Sequence, residues 1–269
     1  MGIVEEIDRI NINSYKATYP FPYTYLDNIL EYSFAKNMQD EVLSLEDDCW
    51  DRYENPFEKK YTLRNKDNLP VNVQELFQTL SSKIFIEKLS KIVGVELYKD
   101  DTKNWWGIHK YKDGDKLDIH SDAGIHPTLE YKKHVTLGIY LSKNWGEANK
   151  GHLEIWEGTS IKETEAKLTN KVDSILPCFN RLILFNNTDN AWHGNPEPVS
   201  CDNESTRIFL TISYLSNCHE NDYTNSYKKA YFINRPSDPE DIEKDKLRKL
   251  RLDSIRCKEI YNYDKSINN

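Results

Sequence analysis

The chain has 269 residues, 38% of them hydrophobic and 30% charged, and a formal net charge of -8. That is the profile of a globular chain long enough to bury a sizeable core, and its acidic balance argues against a nucleic-acid partner, whose footprint is usually basic. No run approaches the roughly 18 apolar residues of a membrane span, and five scattered cysteines without a C-x-x-C pair exclude a zinc ribbon and fit reduced thiols better than a disulfide framework.

Met1-Gly2-Ile3-Val4-Glu5-Glu6 places acids where a signal peptide carries a basic stretch and an apolar core, so a cytoplasmic protein is expected. Pro20 to Tyr25 reads as an extended entry segment, because proline disfavours helix at the residue before it. A helix is predicted over Asn37–Leu45, with Met38, Val42 and Leu45 on one face. The charged stretch Asp47–Asn68 reads as an exposed loop or irregular strand. Val71–Val93 divides into two helices, with Gly94 as the C-terminal stop.

From about residue 104 to 217 the texture changes to short runs rich in Ile, Leu, Thr and Tyr. Strands are predicted at Trp105–Tyr111, Lys116–Ser121, His134–Leu141, His152–Trp156, Asn180–Phe185 and Thr206–Leu215, separated by turn-forming clusters. This spacing, with no alternating helices, predicts an all-β sandwich or barrel rather than a parallel α/β sheet. Ser237-Asp238-Pro239-Glu240 offers a helix start. Beyond it, Ile242, Leu247, Leu250 and Ile255 lie at near-helical spacing up to about Tyr261, as an apolar stripe on a solvated helix. A homodimer contact is another use of that stripe. The expected organisation is a single domain over 1–269, of α+β class and mainly β: helical support to about 100, a β core over 104–217, and a tail from 218 with a C-terminal helix.

His120 and Asp122 stand two apart in a predicted strand, so their side chains share one face. An imidazole and a carboxylate side by side can hold a divalent metal. His193, next to a glycine that lets backbone approach closely, is the candidate third ligand. Two imidazoles and one carboxylate on one face of an octahedral ion form the facial triad of non-haem iron(II) oxygenases, which leaves positions open for a keto acid and dioxygen. A keto acid with a distal carboxylate needs a cation, and the guanidinium fork of Arg207 suits that role. On a barrel the Arg207 strand is expected beside the strand leading to His193. His126 reads as a loop residue near the pocket mouth, and His134 and His152 as structural. His109 shares a strand face with Tyr111 and is a candidate pocket residue. Glu154 and Trp156 face either pocket or solvent.

These elements, in order, resemble the prolyl-4-hydroxylase-type branch of the iron(II)/2-oxoglutarate dioxygenases. The resemblance rests on Tyr111-x-x-Gly114-Asp115-x-Leu117-x-x-His120-x-Asp122, Val135-Thr136-Leu137-Gly138-Ile139-Tyr140-Leu141, Asn144-Trp145 and Gly151-His152-Leu153-Glu154-Ile155-Trp156. Further along it continues in Pro177-x-x-Asn180-Arg181-Leu182-Ile183-Leu184-Phe185, His193-Gly194 and Arg207. It implies a double-stranded β-helix (jelly-roll) core with N-terminal helices packed on one sheet. It implies iron(II) on His120, Asp122 and His193, and 2-oxoglutarate held at its distal carboxylate by Arg207 and Tyr140, with Tyr111 as a pocket tyrosine near substrate and cosubstrate. Ascorbate is the candidate reductant. Dioxygen is the co-reactant, and the substrate is a prolyl or other peptide side chain, or alternatively a free amino acid or small metabolite.

Two departures stand out: Lys150 replaces one of a paired glycine before Gly151, and Ile208-Phe209 follows Arg207 where x-Ser is usual. Asp122 favours hydroxylation over halogenation, because halogenating relatives carry a small residue there. Rival readings are a zinc hydrolase, which leaves Arg207 without a role, and a catalytically inactive jelly-roll binding protein.

Overall fold

A computed structural model describes residues 2–163, 165–219 and 230–252. Helices α1 (Ile3–Glu6) and α2 (Ile12–Ala17) precede strand β1 (Tyr23–Asp27), so the extended entry segment is a sheet strand. Helix α3 (Tyr32–Leu43) starts earlier than its apolar spacing suggests, because the Glu31 carboxylate accepts from the backbone N–H groups of Ser33 and Phe34 and caps it there. Helices α4 (Val71–Leu80) and α5 (Lys83–Val93) fall where predicted. Ser82 caps the start of α5, and Gly94, in the left-handed region at φ 84°, ends it.

The stretch read as an exposed loop or irregular strand is a regular hairpin, β2 (Trp50–Glu54) and β3 (Glu58–Leu63). Its turn is held by Asn55, whose side-chain oxygen accepts from Phe57 N–H at 3.0 Å and Glu58 N–H at 3.1 Å. Charge on both faces hides its alternation: Arg52 pairs with Asp115 at 2.7 Å and Lys60 with Glu58 at 2.8 Å.

The remaining strands are β4 (Trp106–Tyr111), β5 (Lys116–Ser121), β6 (Tyr131–Tyr140), β7 (Leu153–Gly158), β8 (Leu168–Ile175), β9 (Arg181–Asn186), β10 (Trp192–Asn195), β11 (Arg207–Asn217) and β12 (Tyr231–Phe232). Pairing is antiparallel in the order β1-β9-β6-β11-β4-β3-β5-β10-β7-β8, with β12 beside β5 and β2 beside β3. The sheet curls into the jelly roll. All six expected strands are present. Sequence reading missed β8, an edge strand buried only at its two ends, Leu168 and Ile175. His193 itself lies within a short strand, β10, that the sequence reading did not list.

Two-residue alternation sorts the sheet's faces. Val135, Leu137 and Ile139 of β6 and Ile208, Leu210 and Ile212 of β11 face the helices, where they form one core with Met38, Leu76, Phe77, Phe85 and Leu89. Truncating one of these, as in Leu210→Ala, removes about 2–5 kcal/mol. The alternate residues Thr136, Tyr140, Arg207, Phe209 and Thr211 face a cavity of about 360 Å³ inside the roll.

Helix α6 (Ile242–Leu252) begins later than Ser237, where Asp241 accepts from Lys244 N–H at 2.9 Å. The predicted apolar stripe is not what seats it. Ile242 is 72% exposed, and the helix is pinned by Lys244 to Asp118 at 2.6 Å and Arg248 to Asn234 at 2.6 Å. Ile255 and the stretch to Tyr261 lie outside the described residues. No helix among the described residues is long and apolar enough to cross a membrane.

Candidate active site

His120 on β5 and His193 on β10 are direct cross-strand partners, with ring centroids 4.4 Å apart. Asp122 follows β5 immediately, and its Oδ1 lies 3.6 Å from His120 Nε2. Ligand atoms of the three residues all fall within 4.8 Å of one another. His120 Nδ1 donates to Asp118 O at 2.8 Å and His193 Nδ1 to Ala191 O at 2.9 Å. Each carbonyl can only accept, so both Nε2 atoms keep a lone pair for a metal. Gly194 permits this approach: a Cβ there would sit 2.7 Å from Asp118 O and 2.9 Å from Leu117 O.

The electrostatics suit a cation. Burial and the neighbouring His120 pull the His193 pKa down to about 3, and burial also lowers that of His120, so both rings are neutral. Burial alone would raise the Asp122 pKa, but Lys133, His120 and His193 draw it far below the usual carboxylate range. Lys133 Nζ lies 2.7 Å from Asp122 Oδ2 and leaves Oδ1 on the histidine side.

Arg207 is 1% exposed at the far side of the cavity. Its strand pairs with β4 and β6, not with β9 or β10, so the expected adjacency to the strand leading to His193 is corrected. The curl of the sheet, rather than neighbouring strands, brings both to one cavity. Arg207 Nε donates to Gly151 O at 3.0 Å, and the guanidinium lies 4.5 Å from the Tyr111 ring centre and 5.2 Å from that of Tyr140. Gly151, at φ +67°, is required here: a Cβ would meet Val199 at 2.6 Å and Arg207 Cδ at 3.2 Å. The single glycine left by Lys150 is thus enough. Phe209, in place of the usual serine, stacks on Tyr140 at 4.5 Å.

Among the described residues, Arg207 Nη1 and the Tyr140 hydroxyl are both buried without a hydrogen-bond partner. Burial pushes the Tyr140 pKa up to about 12, so its hydroxyl stays a donor. A carboxylate between these groups would satisfy both, as the distal end of 2-oxoglutarate requires. The donor set and the cradle therefore fit iron(II) and a keto diacid.

His109 lines the cavity, with Nδ1 3.0 Å from Thr62 Oγ1. His126 does not line the cavity: it is buried behind Trp105, 3.3 Å from Asp100, and bonds Thr102 at 3.1 Å. His134 bonds Ser216 and His152 bonds Glu147, as structural groups. Trp156 Nε1 donates to Glu154 at 2.8 Å, so both are tied to each other rather than turned to the cavity. The groups missed were Glu58, Lys60 and Thr62 of β3, with Lys133, Asn195, Phe232 and Arg251. A signal existed for the first three, since positions 58, 60 and 62 alternate on one strand face.

The 2OG-Fe(II) oxygenase superfamily model matches residues 106–215, which hold every one of the six site residues inferred above. That stretch, somewhat under half of the chain, is similar to the 2-oxoglutarate-dependent iron(II) oxygenases. Among solved structures the chain is similar in fold to a prolyl hydroxylase from Trichoplax adhaerens, solved with a hypoxia inducible factor peptide fragment (TM-score 0.58, 16% identity, covering 79% of this chain and 90% of that one). It is also similar to a prolyl-4-hydroxylase from Pseudomonas putida (0.54, 10%, 81% and 100%). A third similar structure is a non-heme alpha ketoglutarate dependent carbocyclase from nogalamycin biosynthesis (0.56, 10%, 86% and 89%). A search of curated protein sequences gives no match.

Proposed function

We propose that this chain hydroxylates an unactivated C–H bond, with iron(II) held by His120, Asp122 and His193 and 2-oxoglutarate held at its distal carboxylate by Arg207 and Tyr140. The observation that carries this reading is the pair of buried, unpartnered donors in the same cavity as the three-ligand cluster. When bound, iron and 2-oxoglutarate supply the oxidising chemistry: dioxygen is consumed, 2-oxoglutarate leaves as succinate and carbon dioxide, and one oxygen enters the substrate.

The chain's own residues position and insulate. Asp118 and Ala191 carbonyls fix the histidine tautomers. Lys133 orients Asp122. Gly151 and Tyr111 hold Arg207 in place. Phe185 against His193 and Phe232 against His120 keep the ligand rings out of water.

Of the two substrate classes, a peptide side chain draws support from two similar structures that are prolyl hydroxylases, one of them solved with a peptide fragment. A small molecule draws support from a wall that this chain's own C-terminal segment builds over the cavity. The test of the shared reading is succinate release in air with iron(II), 2-oxoglutarate and ascorbate. Wild type should release it and His193→Ala should not. Turnover with zinc(II) and no keto acid would overturn the assignment.

A further inference from the structure

Three features of the cavity wall bear on what is oxidised. The first is the edge of β5. Strand β3 pairs with its start, Glu58 opposite Leu117, and β12 pairs with its end, Phe232 opposite His120. Phe232 is buried and stacks on Phe57 at 5.0 Å. The edge beside the metal ligand is therefore filled by this chain, and no strand position is left there for an incoming peptide.

The second feature is size. The cavity of about 360 Å³ must take both 2-oxoglutarate and the substrate. That is near the low end of the roughly 300–1,000 Å³ typical of small-molecule pockets.

The third is charge. Glu58 and Lys60 form a 2.8 Å ion pair in the cavity wall, with side chains 8% and 14% exposed. An ion pair out of water is an expensive way to hold a hairpin, so its place in a ligand cavity asks for another use. The row Glu58–Leu117–Asn195 runs across β3, β5 and β10. On β5 it lies three residues from the row Phe232–His120–His193, about 10 Å at 3.3 Å per residue, and on β10 two residues, about 7 Å. Among the described residues, the Asn195 amide Nδ2 is buried without a partner in the same cavity. An acid, a cation and an unmatched amide donor thus stand together one small-molecule length from the metal ligands.

We propose that the substrate is a free α-amino acid, its ammonium taken by Glu58 and its carboxylate by Lys60 and the Asn195 amide, so that its side chain extends toward the metal. This rests on the oxygenase reading above. The hydroxylation it implies consumes one dioxygen and one 2-oxoglutarate, and gives one alcohol, one succinate and one carbon dioxide.

The test uses the full chain, anaerobic, with iron(II) and 2-oxoglutarate. Two signals are followed: the visible charge-transfer band of an iron(II)–keto acid pair, and tryptophan fluorescence, since Trp105 and Trp106 line the cavity. The probes are the individual L-amino acids and a (Pro-Pro-Gly)5 peptide. At least one amino acid should change the fluorescence of wild type, and the peptide should not. Because Glu58→Gln alone strands a buried lysine, the variant is the double swap Glu58→Lys with Lys60→Glu, which keeps an ion pair but reverses it. It should still fold and form its band, and bind the amino acid at least tenfold more weakly. If the band forms and no amino acid responds, if only the peptide responds, or if the swap binds like wild type, the proposal fails and the oxygenase reading stands. If no band forms, both fail.

Discussion

The Tyr140 hydroxyl and Arg207 Nη1 are two buried donors with no acceptor, on side chains whose ring and guanidinium lie 5.2 Å apart. Leaving a donor out of water unpaired costs about 1–3 kcal/mol. The cost is tolerable if the groups await a ligand, and it gives the two residues a testable signature. Tyr140→Phe should raise the melting temperature of the ligand-free protein, by up to about 1–3 kcal/mol of stability, while weakening 2-oxoglutarate. Thermal melts with and without 2-oxoglutarate read both effects. A purely structural tyrosine would show no gain in the first and no loss in the second.

Arg207→Lys keeps the charge and loses the fork. Losing one hydrogen bond to a charged group, about 1.5–3 kcal/mol, raises the 2-oxoglutarate KM roughly 10- to 100-fold. Steady-state kinetics with varied 2-oxoglutarate at saturating iron check this. An unchanged KM would place the carboxylate elsewhere.

Gly194→Ala should separate the two histidine strands, because the new Cβ meets the carbonyls of Asp118 and Leu117 at 2.7 and 2.9 Å. These are backbone atoms of β5 and cannot step aside. His193 moves away from His120, and metal affinity should fall at least tenfold, with a stability loss of about 1–3 kcal/mol. Cobalt(II) titration followed by its visible absorption reads the first, and denaturant unfolding the second.

Lys133→Met removes the partner that holds Asp122 Oδ2 at 2.7 Å. Iron(II) affinity should drop about 10- to 100-fold with little change in the 2-oxoglutarate requirement once iron saturates. That split separates a positioning residue from a cosubstrate ligand.

Glu58 sets an acid limit on stability. Burial would raise its pKa, but Lys60 and Arg251 more than offset this and hold it below the ordinary value of 4.5. A group depressed in the folded state contributes stability above its unfolded pKa and loses it as pH falls through the folded pKa. Wild type should therefore exceed Glu58→Gln in melting temperature at pH 7, and the gap should close as pH drops below about 4.5. A gap that widens in acid would contradict the assigned ion pair.

Much of this site was legible because strand geometry is simple. His120 and Asp122 are two apart, and Ile208, Leu210 and Ile212 alternate with Arg207, Phe209 and Thr211, so face and neighbour follow from a period of two. Glu58 and Lys60 were hidden because their hairpin is charged on both faces and reads as solvated loop. The buried partners that make those charges tolerable come from distant sequence, as Asp115 does for Arg52. Long-range placement was equally out of reach. That β12 covers the edge of β5 beside His120, and that Arg207 reaches the cavity from a strand flanked by β4 and β6, are consequences of the curl rather than of any local pattern. His126 shows the converse: a turn sequence suggested an open loop, and Asp100 and Thr102 bury it behind Trp105.

The central claim is that one cavity joins a two-histidine, one-aspartate metal site to an arginine–tyrosine carboxylate site. Anaerobic titration of iron(II) and then 2-oxoglutarate into wild type, His193→Ala and Arg207→Met tests it most directly. Wild type should bind one iron and develop a visible charge-transfer band on adding 2-oxoglutarate. His193→Ala should bind no iron, and Arg207→Met should bind iron normally but need at least tenfold more 2-oxoglutarate for the band. Wild-type iron binding by His193→Ala, or an unshifted 2-oxoglutarate titration in Arg207→Met, would contradict the account.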